Sequence, residues 1–340
     1  MSRLGVARCL WAAVLFGAAA PAASELAGRT SAFTLAGLLY LGAGLWVLPS
    51  VIRRPPSRRA IEREWRPAAT AVLVGGALGP VLLVAGLART DAASASILLN
   101  TELVATVILA ALFFREHIGR RVASSVVLIA AAGVILTWQP DAGLDIGAVL
   151  VVAACACWGL DNCVTAAIEQ FSPHDVVAMK GAVAGGANLA IGIVGSGWQL
   201  GLGETIAAVA VGAAGYGWSI TLWVAGAREL GAARAQVIFA AAPFIGAVIA
   251  WSVLGDPVTV AQWVAVPLAL GGVAISLRSD HVHEHRHAAI EHDHEHDHGD
   301  GHHDHDHDDG FSGRHRHPHV HEPVVHAHPH VPDLHHRHEH

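Results

Sequence analysis

Long apolar runs in this chain are interrupted by a few groups able to bind a solute or move a proton. Glu102 follows Asn100 and Thr101 inside one run, and Asp161 and Asn162 lie in another with Trp158 one turn before them. Lys180, the only lysine among 340 residues, lies in a third, with Asn188 further along the same helical face. An ionisable group inside a bilayer costs roughly 3 kcal/mol or more, so such residues mark solute and proton pathways. Glu102 has no cation near it in sequence; a lone carboxylate in a dry cavity can carry a proton or hold a cationic substrate. Asp161 and Lys180 suit either a solute site or a structural ion pair. Lys180 is also long enough to snorkel to the headgroups.

A second set of groups lies at the far end. Residues 281–340 hold 23 of the 25 histidines, alternating with acids through His292, His294, His296 and His298 and again through His302, His303, His305 and His307. Neutral imidazoles suit zinc, nickel, cobalt or copper, and adjacent carboxylates add charge and outer hydrogen bonds. With few apolar residues, 278–340 is expected to be disordered, to bind metals with capacity rather than selectivity, and to respond to pH near the imidazole range. A solubilising role is the plainer alternative. Cys9, Cys155, Cys157 and Cys163 all sit in apolar runs, which indicates small buried side chains rather than a disulfide framework or thiolate metal site.

The elements that must position these groups follow from hydropathy. A membrane-crossing helix needs about 20 mostly apolar residues, and backbone in lipid must bond to itself. Ten runs qualify, near 7–24, 32–52, 68–88, 92–114, 121–138, 146–169, 174–195, 204–224, 235–253 and 260–277. Arg53-Arg54-Pro55-Pro56, Gln139-Pro140-Asp141 and Gly255-Asp256-Pro257 punctuate them, and Ser172-Pro173-His174-Asp175 has the form of a helix start. With the N-terminus in the cytoplasm, the inner ends collect fourteen arginines, among them Arg115 and Arg234, against Arg29 and Arg89 outside. That asymmetry places both termini, and the tail, in the cytoplasm of a cell whose inner (plasma) membrane the chain crosses many times. Asp161 then lies roughly 12 Å from the cytoplasmic end of its helix. Arg3 and Arg8 ahead of Ala22-Ala23-Ser24 also resemble a cleavable signal, whose loss would break the symmetry described next.

A shift of 140 residues superposes the halves: Gly86-Leu87-Ala88-Arg89 on Gly226-Ala227-Arg228-Glu229, Ala92-Ala93-Ser94-Ala95 on Ala232-Ala233-Arg234-Ala235, and Glu116-His117-Ile118 on Asp256-Pro257-Val258. Each is followed by a run to Gly133-Val134 or Gly272-Val273. Five helices per half is odd, so the halves, 1–138 and 146–277, are expected to be inverted about the membrane plane. The fold class is therefore all-α integral membrane, ten transmembrane helices as two inverted five-helix repeats plus the tail.

The stretches GLARTDAASASILLNTELVATVILAALFFREHIGRR and GARELGAARAQVIFAAAPFIGAVIAWSVLGDPVTVAQW resemble the EamA-type drug/metabolite transporter superfamily across about residues 7–277. WGLDNCVT at 158–165, with HVHEPVVHAHPHVPDLHHRHEH at the end, looks like a bacterial branch with a histidine-rich tail. The resemblance implies ten helices, a central cavity lined by both repeats, and secondary transport of a small solute. Glu102 and Asp161 depart from the superfamily, where those positions are more often neutral. Phosphate-loop and nucleophile-elbow spacings are absent, which argues against an enzyme. Function is expected to be secondary active transport of a small organic solute by alternating access, with proton coupling left open. The competing expectations are a divalent-metal transporter or exporter using the tail, and a membrane anchor for a metal buffer. Implied partners are the bilayer, a small solute and divalent metals, without a required cofactor or nucleic acid; a homodimer stays open. Glu102, Asp161, Asn162, Asn100, Lys180 and Trp158 are the candidate solute or ion site. Trp11, Trp46, Trp138, Trp158, Trp198, Trp218, Trp223, Trp251 and Trp263 are mostly at helix ends, and an interfacial belt is expected for most of them, with Trp158, one turn from Asp161, the exception.

Overall fold

A computed structural model describes residues 3–114, 120–139, 143–166, 168, 171–230 and 238–276, and in the tail 281–286, 290–296, 315–321 and 325–330. The expected Glu116-His117 match, Arg115, Arg234 and the start of the ninth run lie outside the described residues. Among the described residues eight helices are long and apolar enough to cross a membrane: α1 (Arg3–Ser24), α2 (Ala32–Arg53), α3 (Ala60–Leu87), α4 (Ala92–Phe113), α5 (Arg120–Thr137), α6 (Ile146–Thr165), α7 (Pro173–Ser196) and α8 (Leu202–Gly226). Two shorter apolar helices follow, α9 (Ala242–Leu254) and α10 (Val260–Ile275). Apolar side chains face outward along most of them, Leu73, Leu112, Val194 and Trp263 among the most exposed, as lipid contact requires.

Local chemistry sets the helix starts. Ser31 caps α2 by accepting from the Thr34 amide. Ser172 and Asp175 form the reciprocal capping box that the sequence indicated at α7, with Pro173 in the first turn. Gly255, at φ 76°, ends α9 in the left-handed conformation. The third helix begins earlier than hydropathy indicates. Its helical turns begin at Arg58, ahead of the membrane span, where Ser57 caps them, and they are rich in Arg and Glu before the apolar run starts. A short hairpin, Trp138–Gln139 against Gly143–Leu144, joins the halves where Gln139-Pro140-Asp141 was read as punctuation; residues 140–142 lie outside the described set.

Contacts between the halves recur with the halves exchanged. Helix α1 packs on α8 and α9, and α6 packs on α3 and α4; α2 meets α7, α4 meets α9, and α5 meets α10. The recurrence reaches single residues. Gly86 faces the Gly147 carbonyl and Val151 so closely that no Cβ fits, and Gly226 faces the Gly5 carbonyl and Cys9 in the same way. On the α2–α7 seam, Thr34, Gly37 and Gly44 meet Gly192, Leu189 and Gly181 in turn, so these equivalent helices run antiparallel. A twofold relation that pairs equivalent helices head to tail has its axis across them, as in an inverted repeat. Glycine lets the backbones touch along these seams, the packing that substitutes for hydrophobic drive between helices in lipid.

Two departures from ideal helix also repeat. Wide π-type turns occupy Ala71–Leu78 in α3 and Ala213–Trp218 in α8, and further ones occur at Lys180–Gly185 and Ala250–Leu254. Helix α4 is broken at Leu99–Asn100, and a turn at Ala240–Ala241 precedes α9 in the matching place.

The tail forms a separate unit. Disorder was expected there; the described backbone instead pairs His281–Arg286 with Val325–His330 and Ile290–His296 with His315–His321, both antiparallel. Alternation of His with other residues has the period of a strand, which is the physical basis for that pairing.

Candidate functional site

The break in α4 creates the site. Its freed carbonyls are taken up locally: the Asn100 side chain donates to Ile97 O at 2.8 Å, and the Thr101 hydroxyl donates to Leu98 O at 2.7 Å. The chain restarts at Thr101, which puts Glu102 in the first turn of the second half-helix, where the backbone dipole favours a negative group. Asn162 on α6 donates to Glu102 Oε1 at 2.7 Å and lies 3.3 Å from the Thr106 hydroxyl. Glu102 therefore has a fixed amide partner from the other half. Among the described residues Arg29 pairs with Glu204 and Lys180 with Asp161, and Glu102 is in neither pair.

Beside Asn162 in the chain, Asp161 Oδ2 lies 2.5 Å from Lys180 Nζ of α7, with the lysine and aspartate side chains 13% and 8% exposed. Thr165 donates to the other Asp161 oxygen at 3.1 Å. Lys180 thus does not snorkel; it is bound inside the helical body. Asp161 fits there because it packs directly on Gly75, where a Cβ would collide with it. The wide turns of α3 supply acceptors to the same region. Tyr40 and Trp158 both donate to Gly75 O, at 3.0 and 3.1 Å, and Asn188 donates to Ala77 O at 3.0 Å. Wide turns of this kind often sit at functional sites because they leave carbonyls for side chains to use.

These groups border two adjoining cavities. The larger, about 620 Å³, is lined by Asn100, Glu102, Thr106, Asn162, Thr165 and Lys180, and also by Phe16, Trp223, Phe239 and Pro243. The smaller, about 180 Å³, is lined by Tyr40, Trp158, Asp161 and Tyr216, and shares Phe16, Glu102, Asn162 and Lys180 with the larger. All six candidates from the sequence, Asn100, Glu102, Trp158, Asp161, Asn162 and Lys180, border one or both. The break in α4 and the turn before α9 both reach the larger one, through Asn100 and through Ala240 and Ala242. Trp223 belongs to this wall and not to an interfacial belt, because α8 turns that face toward α1 and Phe239.

Sequence reasoning missed Phe16, Tyr40, Tyr216 and Phe239, since an aromatic in an apolar run carries no mark of where it points. Tyr40 and Tyr216 had one signal, being the only tyrosines in the chain. Of the tail candidates, His292, His294 and His296 lie on a described strand; His298, His302, His303, His305 and His307 lie outside the described residues.

Two separate stretches, residues 3–138 and 145–278, match the EamA-like transporter family. The chain belongs to that family. The two matched stretches coincide with the halves that exchange contacts in the fold, and EamA-type proteins are transporters embedded in the membrane by many helices. A relative from Methanothermobacter thermautotrophicus, described as an uncharacterized transporter, is 26% identical over 299 residues, covering 81% of this chain and 87% of its own. A solved crystal structure of a protein with 18% identity superposes with a TM-score of 0.57 over 81% of this chain and 97% of the other, a likeness of fold.

Proposed function

We propose that this EamA-family protein is a secondary active transporter that carries a small organic solute across the plasma membrane by alternating access, coupled to protons at Glu102. The observation that carries the proposal is the setting of Glu102: at a helix break, oriented by Asn162 of the other half, on the wall of both cavities, and without a basic partner among the described residues. A helix break from one half and a turn at a helix start from the other, at one cavity, suit a mechanism in which one repeat rocks against the other around a fixed site. In the first step the solute enters from one side and meets Glu102. Rocking of the halves then exposes the same site to the other side, and a proton on Glu102 replaces the solute for the return. Glycine seams such as Gly44 on Gly181 allow the halves to slide without leaving polar backbone exposed. The arginine distribution supports both termini in the cytoplasm.

The test is transport by purified protein in liposomes, screened against small organic solutes and divalent metals with and without a pH gradient. Glu102→Gln should insert normally and either stop transport or separate it from the gradient. Near-normal, gradient-driven transport by that variant would remove Glu102 from the mechanism.

A second activity is supported by the tail. Strand register sets His281, His283 and His285 across from His330, His328 and His326, and His292, His294 and His296 across from His319, His317 and His315. The density of histidine alternating with acids along the tail is what would favour divalent transition metals, zinc, nickel, cobalt or copper, as its ligands.

A further inference from the structure

We infer that the solute is an organic monocation, an amine or quaternary ammonium on an apolar body, held with its charge at Glu102 and its body along an aromatic wall. The inference rests on the reading of the cavity as the solute site and adds the class of solute.

Charge is the first observation. Of the three acidic or basic side chains that the described residues place on the cavities, Asp161 and Lys180 are already joined at 2.5 Å, which leaves Glu102 as the one still without an ionic partner there. Its only hydrogen-bond donor among the described side chains is the Asn162 amide, a neutral partner. An anionic solute would meet Glu102 directly, and Lys180, the one cation that the described residues place on these cavities, would have to abandon Asp161 to help it. A neutral solute would leave the carboxylate as it is. A monocation completes the set.

Shape and surface are the second. Five rings form a continuous line from the small cavity to the large one: Tyr40 to Tyr216 at 5.8 Å, Tyr216 to Phe16 at 5.9 Å, Phe16 to Phe239 at 5.3 Å, and Phe239 to Trp223 at 6.3 Å. Phe16, in the middle of the line, shares both cavities with Glu102. Ring faces attract cations and bury apolar carbon at once, the usual means of holding an alkylammonium group. A volume of about 620 Å³ suits a molecule of drug or metabolite size. A bare divalent ion fits poorly, since it needs several oxygen or nitrogen ligands and the described residues hold no cluster of three potential metal ligands.

The test compares three probes that share one ring and differ in the head group: phenethylamine, phenethyl alcohol and phenylacetate. Binding to the purified full-length protein in lipid nanodiscs is followed by calorimetry and by protection against heat. Phenethylamine should bind and protect at neutral pH, and the alcohol and the anion should not. Glu102→Gln should weaken the amine on the order of tenfold or more, the loss expected for a hydrogen bond to a charged group. Phe16→Leu should weaken it by a few-fold, roughly the worth of one ring contact, and carries the test if Glu102→Gln fails to insert. Equal binding of phenylacetate or the alcohol, or amine binding unchanged in both variants, would overturn the inference. So would zinc binding that Glu102→Gln abolishes in a protein that ignores the amine. If the liposome screen finds an anionic or neutral solute, the transporter stands and the monocation falls; if no solute moves at all, the transporter reading itself falls.

Discussion

Breaking one partner of the Asp161–Lys180 pair should cost far more than removing both. The pair is 2.5 Å apart, 8% and 13% exposed, and boxed in by Gly75 and Thr165. Asp161→Asn keeps the volume that Gly75 demands but leaves the ammonium without its counter-charge. Such a change is expected to cost about 3–5 kcal/mol, because the remaining charge is buried and uncompensated. Lys180→Met leaves the carboxylate alone and should cost a similar amount. Together, Asp161→Asn with Lys180→Met should return the protein to within about 1–2 kcal/mol of its starting stability, since a buried pair gains little over neutral groups of the same size. The coupling between the two sites should therefore be several kcal/mol, well beyond the roughly 0.5 kcal/mol seen for independent sites. Unfolding of the four proteins in lipid nanodiscs, by heat or by graded detergent denaturation, measures it. Simple additivity of the two single changes would refute the pairing. A double variant less stable than either single one would show that the groups act separately.

Other outcomes follow from the packing, the topology and the tail. Gly42→Ala and Gly212→Ala each drive a Cβ into a carbonyl of the facing helix, Val209 O and Leu39 O respectively, and should cost about 1–3 kcal/mol in unfolding. Gly195→Ala meets open space and should change stability by about 0.5 kcal/mol or less. Cysteines placed at Ser57 and Ser196, both exposed at helix ends, should label from opposite sides of the membrane; labelling from one side would contradict the crossing pattern. Zinc and nickel binding should drop in a chain ending at residue 278, and in the full chain it should weaken as pH falls through about 6.5, where imidazoles take up protons and cease to be ligands. Calorimetry at about pH 7.5 and about pH 5.5 shows the difference.

What the sequence determined by itself is the membrane class, the two halves and the ionisable interruptions. Each rests on a local cost: an apolar run must be helical in lipid, and Glu102, Asp161 and Lys180 are too expensive there to be incidental. The Gly86 and Gly226 correspondence was legible for a similar reason, since backbone approach at an equivalent seam tolerates no side chain. The start of α3 was misjudged because its first turns are held by a cap and charged side chains, which hydropathy does not register. Tertiary structure decided the rest. Asn162 reaches Glu102 across 60 residues of chain, and Tyr40 and Trp158 from two other helices share the Gly75 carbonyl. The wide turns in α3 exist because those distant donors satisfy carbonyls that an isolated helix would keep for itself. Phe16, Tyr216, Phe239 and Trp223 look like any lipid-facing aromatic until the helices pack and enclose them. In a bilayer both faces of a helix are apolar, so hydropathy shows that a segment crosses and leaves the direction of each side chain to the contacts between helices.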